Sequence, residues 1–171
     1  MSEIYQYFVE GECEKKLIDT YKVTKNNNLT SGKVEVFNFI NQEISNQRIA
    51  VLKPKTTIIL VYDIDVENIK ILNKNIKKLN SYGFKKIYHI QSIKNFEDEI
   101  CFASNIKNTN LIFNTVSKKD FKKEFNHCSK LDIKLKSIKF DINKIWSRLN
   151  SSSPFNIYSK QESLDIIRKK N

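Results

Sequence analysis

Glycine and proline are scarce in this chain: 171 residues contain three glycines and two prolines. So few breakers exclude a collagenous chain or a flexible Gly/Ser-rich linker, and leave turns to Asn, Ser and Asp. Only three cysteines occur, Cys13, Cys101 and Cys128, far apart and without CxxC spacing. That argues against both a disulfide framework and a zinc site, and the expectation is reduced thiols in a cytoplasmic protein. No run of about 18 apolar residues is present, so no membrane helix is expected. Met1-Ser2-Glu3 carries no positive n-region, so no secretory leader is expected either. There is no GxxxxGK[ST], and hence no P-loop ATPase.

What is present is a 40 % hydrophobic fraction, enough for one ordinary core. The length suits one domain with an appendage. The formal net charge of +11 is unevenly spread. Residues 1–65 carry 8 Lys+Arg against 9 Asp+Glu, and residues 66–171 carry 22 against 10. The halves are therefore −1 and +12. An acid-holding front joined to a basic back suits a polyanion held against a metal site.

The apolar pattern alternates between two periods. Ile4–Val9 reads as a buried strand, and Glu12–Lys22 has helical spacing. Asn26-Asn27-Asn28 and Ser31-Gly32 mark a loop. Lys33–Phe39 alternates as a strand, and Ile40–Leu52 is expected to be a short helix before Pro54. Thr56–Tyr62 is the most apolar run and the clearest strand. Val66–Asn80 repeats Ile69, Leu72, Ile76 and Leu79 at helical spacing, with Gly83 as its C-terminal cap. Lys86–Ile90 reads as a strand and Phe96–Ile106 as a helix. The βαβαβαβα order predicts an α/β fold: a mostly parallel four-stranded sheet with helices on both faces. Beyond residue 107 the pattern weakens. Lys118–Phe125 and Asp141–Leu149, which holds Trp146, are expected helices, and the last residues are expected to fray. The expected organisation is a core over 1–107, a basic helical extension over 108–150, and a polar tail over 151–171.

In an open parallel sheet, ligands bind beyond the carboxyl ends of the strands, where the strand order reverses. Two strands here end in acids: Phe8-Val9-Glu10-Gly11 and Val61-Tyr62-Asp63-Ile64-Asp65. A strand order 2-1-3-4 places the reversal between the first and third strands and brings Glu10, Asp63 and Asp65 to one crevice. Carboxylates that close repel one another, and a divalent cation removes the penalty. Mg²⁺ suits a few carboxylates with waters or phosphate oxygens completing its shell.

FVEGECEKKLI followed by IILVYDID resembles the TOPRIM domain of topoisomerases, primases and related nucleases. EGECEKKLI is most similar to the EGxxE form of the OLD-type and RloB-type nuclease branch, found in phage-defence and mobile-element systems. The resemblance spans roughly residues 1–105. It implies a TOPRIM-like, Rossmann-like fold and Mg²⁺-dependent (or Mn²⁺-dependent) cleavage of DNA or RNA. Glu10 is then the general acid/base, and Asp63 and Asp65 are metal ligands. Glu14, one helical turn on, and Glu97, after the fourth strand, are then candidates for a second metal. Lys94 on the same rim, with Lys118, Lys119, Lys122 and Lys123, is expected to contact nucleic-acid phosphates. The ATPase that accompanies OLD-type nucleases would have to come from a separate chain. The alternative to a nuclease is a non-catalytic nucleic-acid-binding or assembly module of the same fold.

Two other families fit less well. A haloacid-dehalogenase-like phosphatase needs its DxD on the first strand and Thr or Val four residues after the first Asp, where this chain has Glu67. A response-regulator receiver needs an acidic pair after the first strand, which Glu10-Gly11-Glu12 does not supply. His89 and His127 have no partners at ligand spacing and are expected to be packed or surface residues.

Overall fold

The computed structural model describes residues 3–23, 29–66, 68–149 and 153–168. Its centre is a four-stranded, all-parallel sheet in the order β2-β1-β3-β4. The strands are β1 (Tyr5–Val9), β2 (Lys33–Val36), β3 (Thr57–Asp63) and β4 (Ile87–Ser92). β3 is apolar on successive residues because both of its faces are covered. Ile59 and Val61 meet one layer, and Ile58, Leu60 and Tyr62 the other.

The second layer is formed by α2 (Asn46–Ala50) and α3 (Lys70–Ser81), through Ile49, Leu72 and Leu79. The first holds α1 (Glu12–Tyr21), α4 (Phe96–Ser104), α5 (Asn110–Phe113), α6 (Lys118–His127), α7 (Leu131–Ser137) and α8 (Gln161–Ile167). Phe121 and Phe125 of α6, Leu135 of α7 and Ile167 of α8 belong to the same apolar cluster as Val9, Leu17 and Ile100. That layer therefore runs unbroken past residue 107.

Gly83 has φ +91 and closes α3, its N–H donating to the Asn80 carbonyl at 3.0 Å. Only glycine takes that conformation without strain.

Several local expectations are corrected. β2 stops at Val36 rather than Phe39: Phe37 still donates to Val9 O at 2.8 Å, but Asn38 then turns the chain. Its Oδ1 accepts from the N–H groups of Ile40 and Asn41. The helix expected over Ile40–Leu52 shrinks to Asn46–Ala50. Buried Asn75 holds the segment before it, accepting from Ile44 N–H and donating to the carbonyls of Phe39 and Gln42. These bonds satisfy backbone that a helix would have paired internally. The helix expected from Val66 begins at Lys70.

The helix expected over Asp141–Leu149 is absent, and turns replace it. Trp146 sits at φ 59 and gives its N–H to Glu99 Oε2 at 2.9 Å. Arg148 reaches Asp98 at 2.6 Å and Glu99 at 2.7 Å. Tertiary hydrogen bonds to a buried carboxylate outweigh the local helical preference. The expected polar tail contains a 3₁₀ helix (Pro154–Tyr158) and α8. Phe155 is fully buried, and Leu164 and Ile167 join the core.

Candidate metal centre

The strand order reverses between β1 and β3, and the acids leave the sheet there. Glu10, half-buried just past β1, accepts the Asp63 N–H through Oε2 at 3.0 Å. That bond joins the carboxyl ends of the two central strands. Burial raises the Glu10 pKa and Asp65 repulsion adds to it, while the Asp63 N–H and the Asn38 side chain oppose it. Asn38 is a site residue that the sequence hid, because its alternation placed it on a strand rather than at the crevice rim.

Gly11 leads from β1 into α1 in extended backbone. A Cβ there would lie 3.0 Å from the Glu14 carboxylate, which is only 5 % exposed. A side chain at position 11 would therefore crowd the Glu14 carboxylate. Burial, aided by Glu10 and Glu97, pushes the Glu14 pKa up to about 7; its own N–H and Lys122 work against the rise.

Asp63 ends β3. Burial, then the charges of Glu14 and Glu10, push its pKa up to about 8, with Ser92 and the Phe96 N–H opposing. Among the described residues its buried Oδ1 has no hydrogen-bond partner. Asp65 lies exposed two residues on, close enough for its charge to act on Glu10.

Glu97 enters from the first turn of α4, whose cap is Asn95, and is buried. It is ion-paired at 3.0 Å with Lys122 from α6. Partial burial works against the Lys122 charge, yet the Glu97 carboxylate outweighs it and raises the ammonium's pKa. Lys122 therefore faces the acids, and its charge is felt by Glu10, Glu14 and Cys13.

The other lysines diverge. Lys94 stands exposed at φ 71 in the loop after β4, and Lys118 opens α6. Lys119 and Lys123 are exposed elsewhere on that helix. Cys13 is buried beside Glu14, and burial pushes its thiol up to about 12, so it is no nucleophile at neutral pH. His89 is buried, stacked on Tyr158 at 4.5 Å with its Nδ1 3.1 Å from the Tyr62 hydroxyl. His127 Nδ1 donates to the Lys123 carbonyl at 2.7 Å.

The crevice therefore gathers Glu10, Glu14, Asp63 and Asp65, with Glu97 held by Lys122. Among the described residues, no three His, Cys, Asp or Glu side chains converge as a closed metal-binding group. The donor set nevertheless fits a hard cation that keeps most of its waters. All the donors are carboxylate oxygens, the buried Asp63 Oδ1 has no hydrogen-bond partner among the described residues, and burial, with the neighbouring acids adding to it, raises the pKa of Glu10, Glu14 and Asp63.

The class these features define is an α/β protein with a parallel 2-1-3-4 sheet and an acidic crevice at its switch point. The chain matches no protein-family model, no curated protein and no solved structure.

Proposed function

We propose that this chain is a TOPRIM-like, Mg²⁺-dependent phosphodiesterase of the OLD-type and RloB-type branch, acting on DNA or RNA in the cytoplasm. The observation that carries the reading is the Glu10–Asp63 bond across the strand-order reversal, with strongly perturbed carboxylates on either side. The EGECEKKLI and YDID motifs supply the family likeness.

Glu10, Asp63 and Asp65 would hold the cation, with Glu14 nearest for a second. A bound Mg²⁺ would polarise the phosphate and stabilise the leaving oxygen. The Asp63 N–H and the Asn38 side chain fix the Glu10 carboxylate at the crevice, where it would accept the proton of an attacking water. The Lys122 ammonium neutralises Glu97, so one cation position is already occupied by protein charge. A phage-defence or mobile-element setting, and a separate ATPase chain, belong to the family likeness alone.

A second reading is a nucleic-acid-binding or assembly module of this fold. It is favoured by the internal pairing of two of the acids, Glu10 to a backbone N–H and Glu97 to Lys122.

Incubation with single- and double-stranded DNA and RNA, with Mg²⁺ or Mn²⁺, separates the two. A nuclease cuts one class, and both Glu10→Ala and Asp63→Ala abolish cutting while leaving binding largely intact. Equal cutting by all three proteins would remove these residues from the chemistry. No cutting, with binding retained in Asp63→Ala, is the outcome for a binding module.

A further inference from the structure

A cleft of about 450 Å³ opens beside the acidic crevice, on the far side of Glu97. Lys94, Lys107 and Lys118 stand around it with Asn108, and Glu97 and Asp98 line it from α4. Both acids are paired: Glu97 with Lys122 at 3.0 Å, and Asp98 at 2.6 Å with Arg148, which it shares with Glu99. Among the described residues, none of the three lysines forms an ion pair. At the recess the cations Lys94, Lys107, Lys118, Lys122 and Arg148 outnumber the acids Glu97, Asp98 and Glu99, and such an excess of positive charge attracts an anion.

The lysines are not a random surface scatter. Lys94 is held at φ 71, a conformation costly for a residue with a Cβ. Its neighbours enforce it: the Ile93 N–H donates to Glu99 and Asn95 caps α4. Lys118 is fixed at the first turn of α6, one turn before Lys122. Glu97 is shared, contacting Lys122 on the crevice side and lining the cleft. An anion in the cleft thus lies next to the proposed cation site.

Among the described residues no aromatic side chain lines the cleft, so they offer no platform for stacking a base. The recess suits a backbone phosphate rather than a base. We infer that this cleft binds a backbone phosphate of a nucleic-acid strand, next to the phosphate at the carboxylates, without base preference. The placement of that second phosphate rests on the nuclease reading. The cleft's affinity for a strand does not.

The test is fluorescence anisotropy of labelled single-stranded and duplex oligonucleotides with the full chain in EDTA, over a salt series. Cleavage is silent there, so failure of the nuclease reading cannot mask the result. The Lys94→Ala/Lys107→Ala/Lys118→Ala variant should bind single strands at least tenfold more weakly than wild type. Its salt slope should fall by about 0.7, the change for one lost phosphate contact on a single strand. A Lys119→Ala/Lys123→Ala variant, on exposed positions outside the cleft, should lose much less. Lys107→Glu alone, a single exposed change, should reproduce the direction if the triple variant is unstable. Unchanged single-strand binding in the triple variant and in Lys107→Glu would overturn the assignment. So would a larger loss from the 119/123 pair. Inorganic phosphate, compared with chloride at equal ionic strength, is the remaining arm. Displacement of the oligonucleotide by millimolar phosphate, dependent on the same lysines, would make this a free-phosphate site and overturn the strand assignment.

Discussion

Asp63 and Glu14 are carboxyls that the fold makes hard to ionise, with pKa values near 8 and 7. Both lie above the ordinary values of 3.8 and 4.5, so the folded state holds protons that the unfolded chain releases. Their contribution to stability is complete below about pH 4 and is lost as pH rises through 7 and 8. Buried His89 acts in the opposite sense. Burial lowers its pKa to about 3 from 6.5, so its cost appears only as pH falls below about 6.5. The window from pH 6.5 to 8.5 therefore reports the acids without the histidine. In the metal-free protein the melting temperature should fall across that window, and Asp63→Asn should flatten the fall. Mg²⁺ at pH 8 should restore stability to wild type more than to Asp63→Asn. A wild-type profile that is flat without metal would contradict the crevice described above.

At the scale of elements, two buried polar side chains decide what local pattern does not. Asn75 shapes the segment before α2. Glu99, fully buried, accepts from the N–H groups of Ile93 and Trp146 and from Arg148. In doing so it fixes both the loop that carries Lys94 and the turns over 142–146. The 3₁₀ helix and α8 seal β4 in a similar way. The Gln91 side chain donates to the Phe155 carbonyl at 2.9 Å, and the Ser163 hydroxyl accepts the His89 N–H at 3.3 Å. The Phe155 ring packs on Tyr62, with centroids 5.7 Å apart. Phe155→Ala should cost about 3–5 kcal/mol in urea unfolding, the ordinary penalty for emptying an aromatic core site. A loss under about 1 kcal/mol would show that this segment is only loosely docked.

For the molecule as a whole, the two charge halves meet at one place. The −1 half supplies Glu10, Glu14, Asp63 and Asp65, and the +12 half supplies Lys122 and the lysines of the cleft. α6 joins them, because Phe121 and Phe125 anchor it in the core while Lys122 reaches the acids. One apolar layer spans residues from Tyr7 to Ile167, so the chain should unfold in one cooperative transition. A fragment of residues 1–107 leaves Val9, Leu17 and Ile100 partly uncovered, and should fail to give a cooperative melt. A fragment that melts sharply on its own would show that residues 108–168 are an accessory to an independent core.

Alternation of apolar runs with helical spacing was enough to read the parallel sheet, its four strands and the acids at their ends, because strand and helix periods are local properties. The 2-1-3-4 order and the meeting of Glu10, Asp63 and Asp65 follow from the sequence only if the two acid-tipped strands are neighbours with the second strand outside the first, and the structure meets that condition by pairing β1 with β3. Only the tertiary structure decided that Lys122 turns inward to Glu97 while Lys119 and Lys123 remain outside. Only it placed Asn38 at Glu10, and turned 141–149 into a strap bound to Glu99. Those outcomes depend on which buried carboxylate or amide must be satisfied at long range, and no period in a sequence records that.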